Sequence, residues 1–216
     1  MKHPSTQALF AYWTRQRGNR PAPDRSEIDP ADIRHALSDT VMLAADFVDR
    51  LRFRLAGTRV CALFGRELKG EEFSSLWSEE SIPKIDDLLT IVIDEQISAV
   101  AGLTGRTADG DILDLELLLL PLAHTGHARI RAIGALAPLA PPYWLGEKPI
   151  ANLELGTLRH IGPEPTIGQR RSGSIVPEAP AEPAATVVPS VEDIRVRHGF
   201  VVYSGGRDAP SGERTG

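Results

Sequence analysis

The segment Leu51–Gly70, LRFRLAGTRVCALFGRELKG, constrains the fold of this chain more than any other. Leu51, Phe53 and Leu55 alternate with Arg52 and Arg54, the pattern of a half-buried β-strand. The alternation breaks at Gly57, and Thr58–Phe64 reads as a short helix. Thr58 is expected to cap that helix with its hydroxyl, and Gly65 to end it in the left-handed conformation. A strand that feeds a one- or two-turn helix, closed by Phe-Gly and a second glycine at Gly70, leaves few topologies open.

The flanking sequence extends the pattern. Ser5–Arg17 is predicted as a helix, with Ser5 as N-cap and Gly18 as its stop. Pro21 and Pro23 make Asn19–Ser26 an extended linker, and Asp29-Pro30 opens a second helix to about Leu37. A first strand spans Thr40–Val48 and turns at Asp49-Arg50. Ile85, Leu88, Leu89, Val92 and Ile93 lie at helical spacing within Pro83–Gln96. Three further strands follow, Ser98–Arg106, Ile112–Leu122 and Arg129–Ala137, with Asp109-Gly110 as the hairpin turn between the first two.

Five motifs, PDRSEIDP, FRLAGT, LFGRELKG, GRTADG and LLLLPLA, occur in that order between Pro23 and Ala123. Together they resemble the small bacterial PAS-like family that carries an extra N-terminal helix, over about Leu9 to Pro138. The resemblance implies an α+β fold: a five-stranded antiparallel sheet, helices inserted after strand two, N-terminal helices and a disordered C-terminal tail. The expected organisation is an N-terminal helical extension (1–38), a PAS-like core (39–139) and a wrap of the chain back over it (140–162). A disordered linker (163–190) and a short motif with its tail (191–216) complete it. The linker holds six prolines between Pro163 and Pro189 and has too little apolar surface to offset its ordering entropy. Beyond it, Val191–Arg207 recovers strand-like alternation, as a docking peptide would.

Composition narrows the partners. A net charge of −5 argues against nucleic acid and against an anionic membrane surface. No apolar run reaches the roughly 18 residues of a spanning helix, and the N-terminus has no secretory apolar core. The lone Cys61 fits a reducing cytoplasm.

Several residues invite chemical readings. Asp114 and Glu116 lie two apart on one strand and could split their pKa values as acid and base. Leu113, Leu115, Leu117 and Leu119 mark the other face as core, so the simpler reading is a solvated start to the Asp114 face. His124 and His127 lack the further ligands of a closed metal site. Cys61 stands in Arg-Val-Cys-Ala-Leu, unlike the Asn-Cys-Arg context of flavin-binding PAS photoreceptors. The helix Pro83–Gln96 lacks the histidine of haem-binding PAS domains, so no cofactor or metal is expected. Asp29 reads as a cap, and Arg25 as a pin that holds the N-terminal segment through a bidentate carboxylate contact. Trp77 and Trp144 read as core. Phe10 and Trp13 are interface candidates because a helix apolar on several sides needs two surfaces to cover it, and Arg25, in the PDRSEIDP motif, is a third as a partner contact.

The PAS resemblance also implies a pocket between sheet and helices, with Phe53, Leu55, Val60, Leu63, Phe64, Leu76, Leu89, Val92 and Leu115 as its lining candidates. No kinase, helix-turn-helix or cyclase output domain is expected in the remaining residues. The expected role is a cytoplasmic, non-enzymatic sensory or adaptor module that signals through a protein partner, either alone or together with a small ligand, with the N-terminal helix as the surface for a homodimer. The alternative is a small enzyme with Asp114 or Glu116 as base in the same cavity.

Overall fold

The computed structural model describes residues 1–45, 50–123 and 130–161, and the backbone of 194–197 and 200–203. The chain divides into two units, Met1–Pro163 and Glu164–Gly216. Among its described residues the first holds three α-helices, α1 (Pro4–Arg17), α2 (Thr58–Phe64) and α3 (Ile82–Ile93). Its strands are β1 (Thr40–Ala45), β2 (Leu51–Ala56), β3 (Ser98–Thr107), β4 (Ile112–Pro121), β5 (Ile130–Pro138) and β6 (Ile150–Ile161). They form one antiparallel sheet in the order β2-β1-β5-β4-β3-β6. In the second unit β7 (Ile194–Arg197) pairs antiparallel with β8 (Phe200–Tyr203). The linker 163–190, Asp49, His124, His127 and the Gly205-Gly206-Arg207 run lie outside the described residues.

The five expected strands are present, and the sheet has a sixth. Residues 150–161 do not simply wrap over the core; they pair with β3 along its whole length. Their signal is the spacing of Leu153, Leu155 and Leu158, with one residue inserted at Gly156–Thr157. A side chain at Gly156 would start 2.9 Å from the Gly102 carbonyl oxygen, so glycine permits the strands to meet there.

β4 shows why both faces of the sheet are covered. Leu113, Leu115, Leu117 and Leu119 join a core shared with Val60, Leu63, Phe64, Phe73, Leu76, Leu88 and Val92 from the inserted helical segment. Leu118 and Leu120 point the other way and pack with Leu9, Tyr12 and Trp13 of α1. Each leucine so buried contributes about 1.5–3 kcal/mol relative to exposure. A strand covered on both sides reads as a continuous apolar run, which LLLLPL is.

Local departures from the sequence pattern have identifiable causes. In β2 the register slips: Met42 faces Leu55 but Leu43 faces Phe53, leaving Arg54 as an extra residue. A one-residue bulge transfers all that follows to the opposite face, so Leu55 is 38% exposed while Phe53 is buried. α1 is capped by His3, whose Nδ1 accepts from the Ser5 amide at 3.2 Å, because the Ser5 hydroxyl is engaged by Asp39. Asp29 does accept from the Ala31 amide at 2.8 Å. The residues after it, however, follow i→i+3 bonds (Asp32 to Asp29, Ile33 to Pro30, Ala36 to Ile33), so turns replace the expected helix. Gly57, not Thr58, is the cap residue of α2, and Gly65 ends that helix at φ 64° as expected.

Candidate functional site

Of the nine residues expected to line a pocket, eight (Phe53, Val60, Leu63, Phe64, Leu76, Leu89, Val92 and Leu115) lie together in the core between sheet and helices. Leu55 lies apart from them, on the exposed side of the bulge. Aromatic rings fill the middle of this layer: Phe53 meets Phe73 at 5.5 Å between centroids, and Phe73 meets Trp77 edge-on at 5.7 Å. Cys61 is half-buried, with its thiol 3.8 Å from the Ala56 carbonyl oxygen; burial first, then the Glu67 and Glu71 carboxylates, pushes its pKa up against a backbone hydrogen bond at Leu68. A thiol held protonated in this way is a poor nucleophile or metal ligand. Among the described residues no group of three or more His, Cys, Asp or Glu side chains is arranged to hold a metal.

Two grooves open among the described residues. A groove of about 710 Å³ runs along α3, lined by Leu51, Phe73, Ile82, Leu89, Ile93 and Arg131. Leu89 is the one pocket candidate that reaches it. Asp86, also on its wall, has a pKa raised by burial and by the neighbouring Asp87. A narrower crevice of about 280 Å³ lies at the C-terminal end of α1, between Phe10, Trp13, Arg17, Gln96, Ile97 and Ile161.

The carboxylate pair separates. Asp114 is exposed, whereas Glu116 is buried against the start of α1. Its oxygens accept from the Lys2 amide at 2.7 and 3.0 Å, the His3 amide at 2.9 Å and the Thr6 hydroxyl at 2.5 Å. Burial pushes its pKa up, but the Thr6 hydroxyl and the two amides more than offset this, leaving it below the ordinary value. With those donors in place, Glu116 anchors the start of α1 to the sheet, and it lines neither groove. The expected solvation of that face stops at Asp114.

Asp39 is the anchor that sequence reasoning missed. It is fully buried, and it accepts from Arg59 Nε at 2.7 Å, Arg59 Nη2 at 2.5 Å and the Ser5 hydroxyl at 2.5 Å. Nothing in the run Leu37-Ser38-Asp39 distinguishes this aspartate from a solvated turn residue.

The interface candidates take different places. Trp13 is 3% exposed and its indole N–H donates to the Pro121 carbonyl at 2.8 Å, so it faces the sheet. Phe10 is half-buried and stacks on it at 6.3 Å. Arg25 donates to the Ile28 carbonyl at 3.1 Å rather than gripping a carboxylate. The PDRSEIDP segment is held instead by Tyr12, whose hydroxyl donates to the Glu27 carbonyl at 3.1 Å and accepts the Asp29 amide at 2.8 Å. Asp24 and Glu27 complete a reciprocal capping box.

A PAS domain family model matches residues 1–137, which takes in α1, both anchors and the sheet through β5. The chain belongs to this PAS domain family. Among solved structures, the PAS fold here is similar to a light-oxygen-voltage domain studied with a flavin analogue, at 14% identity and a TM-score of 0.42, over 51% of this chain and 83% of that one. It is also similar to the PAS domain of a protein from Colwellia psychrerythraea, at 14% identity and a TM-score of 0.38, over 51% of this chain and 97% of that one. No curated protein matches the sequence. PAS domains are generally sensory or signalling modules. No helix among the described residues is long and apolar enough to cross a membrane.

Proposed function

We propose that this chain is a sensory or adaptor PAS module that acts in signal transduction through protein partners, with a small molecule as a further input. The observation that carries the reading is the family match across residues 1–137, which treats α1 and the sheet as one unit. The hydrogen bonds of Glu116 and Asp39 give that unit a physical basis. The pocket residues form the wall through which occupancy would be felt. The ligand itself enters the groove along α3, whose volume of about 710 Å³ falls in the range of small-molecule sites. The module works without catalysis in the cytoplasm, independently of nucleic acid and membrane, consistent with its net charge of −5. Homodimerisation runs through the α1 face, where Phe10 remains partly exposed and Arg25 lies nearby.

Native mass spectrometry of the purified full chain tests these elements together. The expected result is a dimer, with a bound small molecule released on collisional activation. A monomer without adduct overturns both the ligand and the homodimer and leaves a protein-interaction module.

A further inference from the structure

The two helical layers lie on opposite faces of the sheet, yet one side chain holds them both. Asp39 closes the turn Leu37–Asp39 that leads into β1. One of its oxygens accepts from Arg59, near the start of α2, and the other from Arg59 and from Ser5, in the first turn of α1. α2 packs through Val60, Leu63 and Phe64 into the core on one face, and α1 through Leu9, Tyr12 and Trp13 into the core on the other. The Arg59 side chain is 57% exposed while that of Asp39 is 1% exposed, so Arg59 lies between the carboxylate and water.

A second, independent contact makes this joint stiff. The Gly57 amide donates to the Thr40 carbonyl at 2.8 Å. A Cβ placed on Gly57 would fall 2.3 Å from the carbonyl oxygens of Leu37 and Ser38. The N-terminus of α2 therefore has no clearance from the turn that carries Asp39. A shift of α2 must either move that turn, and with it the carboxylate that Ser5 meets, or part the Asp39–Arg59 contact and leave Ser5 against an unpaired charge.

We infer that Asp39 is the joint through which a displacement of α2 on one face of the sheet changes the docking of α1 on the other. The chemistry favours a two-position response over a graded one. With Arg59 in place the buried charge is paired, and with Arg59 withdrawn the Ser5 hydroxyl is left as its remaining side-chain donor. Loss of one partner from a buried ion pair is strongly destabilising because the other charge stays behind. A demonstrated element that both sites bias is the physical content of coupling. The inference goes beyond the sensory reading: it is a property of the packing, and that reading supplies only what would move α2.

Hydrogen exchange on the full chain, read separately in α1 and in β4, tests it. In Arg59→Met, the amides of Pro4–Arg17 should exchange about tenfold faster, while those of Leu115–Leu119 change by less than about threefold. Asp39→Asn added to Arg59→Met should restore α1 protection, since the neutral amide still accepts from Ser5 and carries no stranded charge. Unchanged α1 exchange in Arg59→Met overturns the inference. So does equal acceleration in α1 and β4 that Asp39→Asn does not reverse. Where Arg59→Met fails to fold, Arg59→Lys keeps the charge, loses the two-pronged grip and should accelerate α1 about threefold, and no acceleration overturns the inference. Retention of a ligand by the wild-type protein is read separately, so a failure here and a failure of the sensory reading are distinguishable.

Discussion

The two faces of the sheet are fastened in different ways. The face toward α2 and α3 is a continuous apolar layer with Phe53, Phe73 and Trp77 at its centre and leucines from β4 beneath. The face toward α1 has a smaller apolar core and, at one end of the helix, two buried carboxylates that grip the first turn. Apolar burial is non-directional and tolerates small shifts, whereas hydrogen bonds to a charged group require their geometry. The first face is therefore suited to give stability, and the second to hold a helix in one register and release it as a unit.

The largest effect should come from the apolar face. Phe73→Ala removes the central ring of three and should lower global stability by about 3–5 kcal/mol, read by urea denaturation. A loss confined to local exchange in α3, with the denaturation midpoint unchanged, would break the contrast between the faces.

The α1 face should respond locally and by less. Glu116→Gln replaces a charged acceptor of four hydrogen bonds by a neutral amide, at a cost of about 1.5–3 kcal/mol. Hydrogen exchange should rise along α1 while the β4 core remains protected. Acid should mimic the substitution in the wild-type protein. Because the folded pKa of Glu116 is lowered, its stabilisation is complete above the ordinary glutamate value of roughly 4.3 and is lost as pH falls through the lower folded value. The Glu116→Gln protein should lack that acid-dependent step in α1 exchange, and an identical step in both proteins would assign it elsewhere.

What the sequence reveals follows the same divide. The apolar layer is legible because periodicity reports burial: the β4 leucines, the α3 spacing and the Gly57–Gly65 helix all lie where their patterns place them. Leu55 departs because a bulge at Arg54 is invisible to strict alternation. β6 departs because Gly156–Thr157 interrupts its period within a Pro- and Gly-flanked segment. The polar anchors are the least legible. Glu116 reads as a surface carboxylate two residues from Asp114, and only the arrival of α1 on that face buries it. Asp39 acquires its role from Ser5 and Arg59, which lie 34 and 20 residues away. A charged residue becomes a joint through partners distant in sequence, and no local pattern encodes them.

The smallest predicted effect lies at the added edge strand, away from both anchors. His160 of β6 is half-buried beside Ala99 of β3, and its Nδ1 has no hydrogen-bond partner among the described residues. Burial lowers its pKa, and the Glu95 carboxylate offsets this in part. The folded state therefore favours the neutral ring. That contribution is complete above the ordinary imidazole value of roughly 6.5 and declines as pH falls through the lower folded value, where the ring charges in the folded state too. Between pH 7 and pH 5 the wild-type protein should lose a fraction of what Glu116→Gln removes, and His160→Gln should flatten that slope. Exchange should rise first in β3 and β6, with α1 unaffected. A pH response in this window that appears in α1 instead would mean that the sheet carries changes from its β6 edge to the anchored helix, and the two faces would then not be separable.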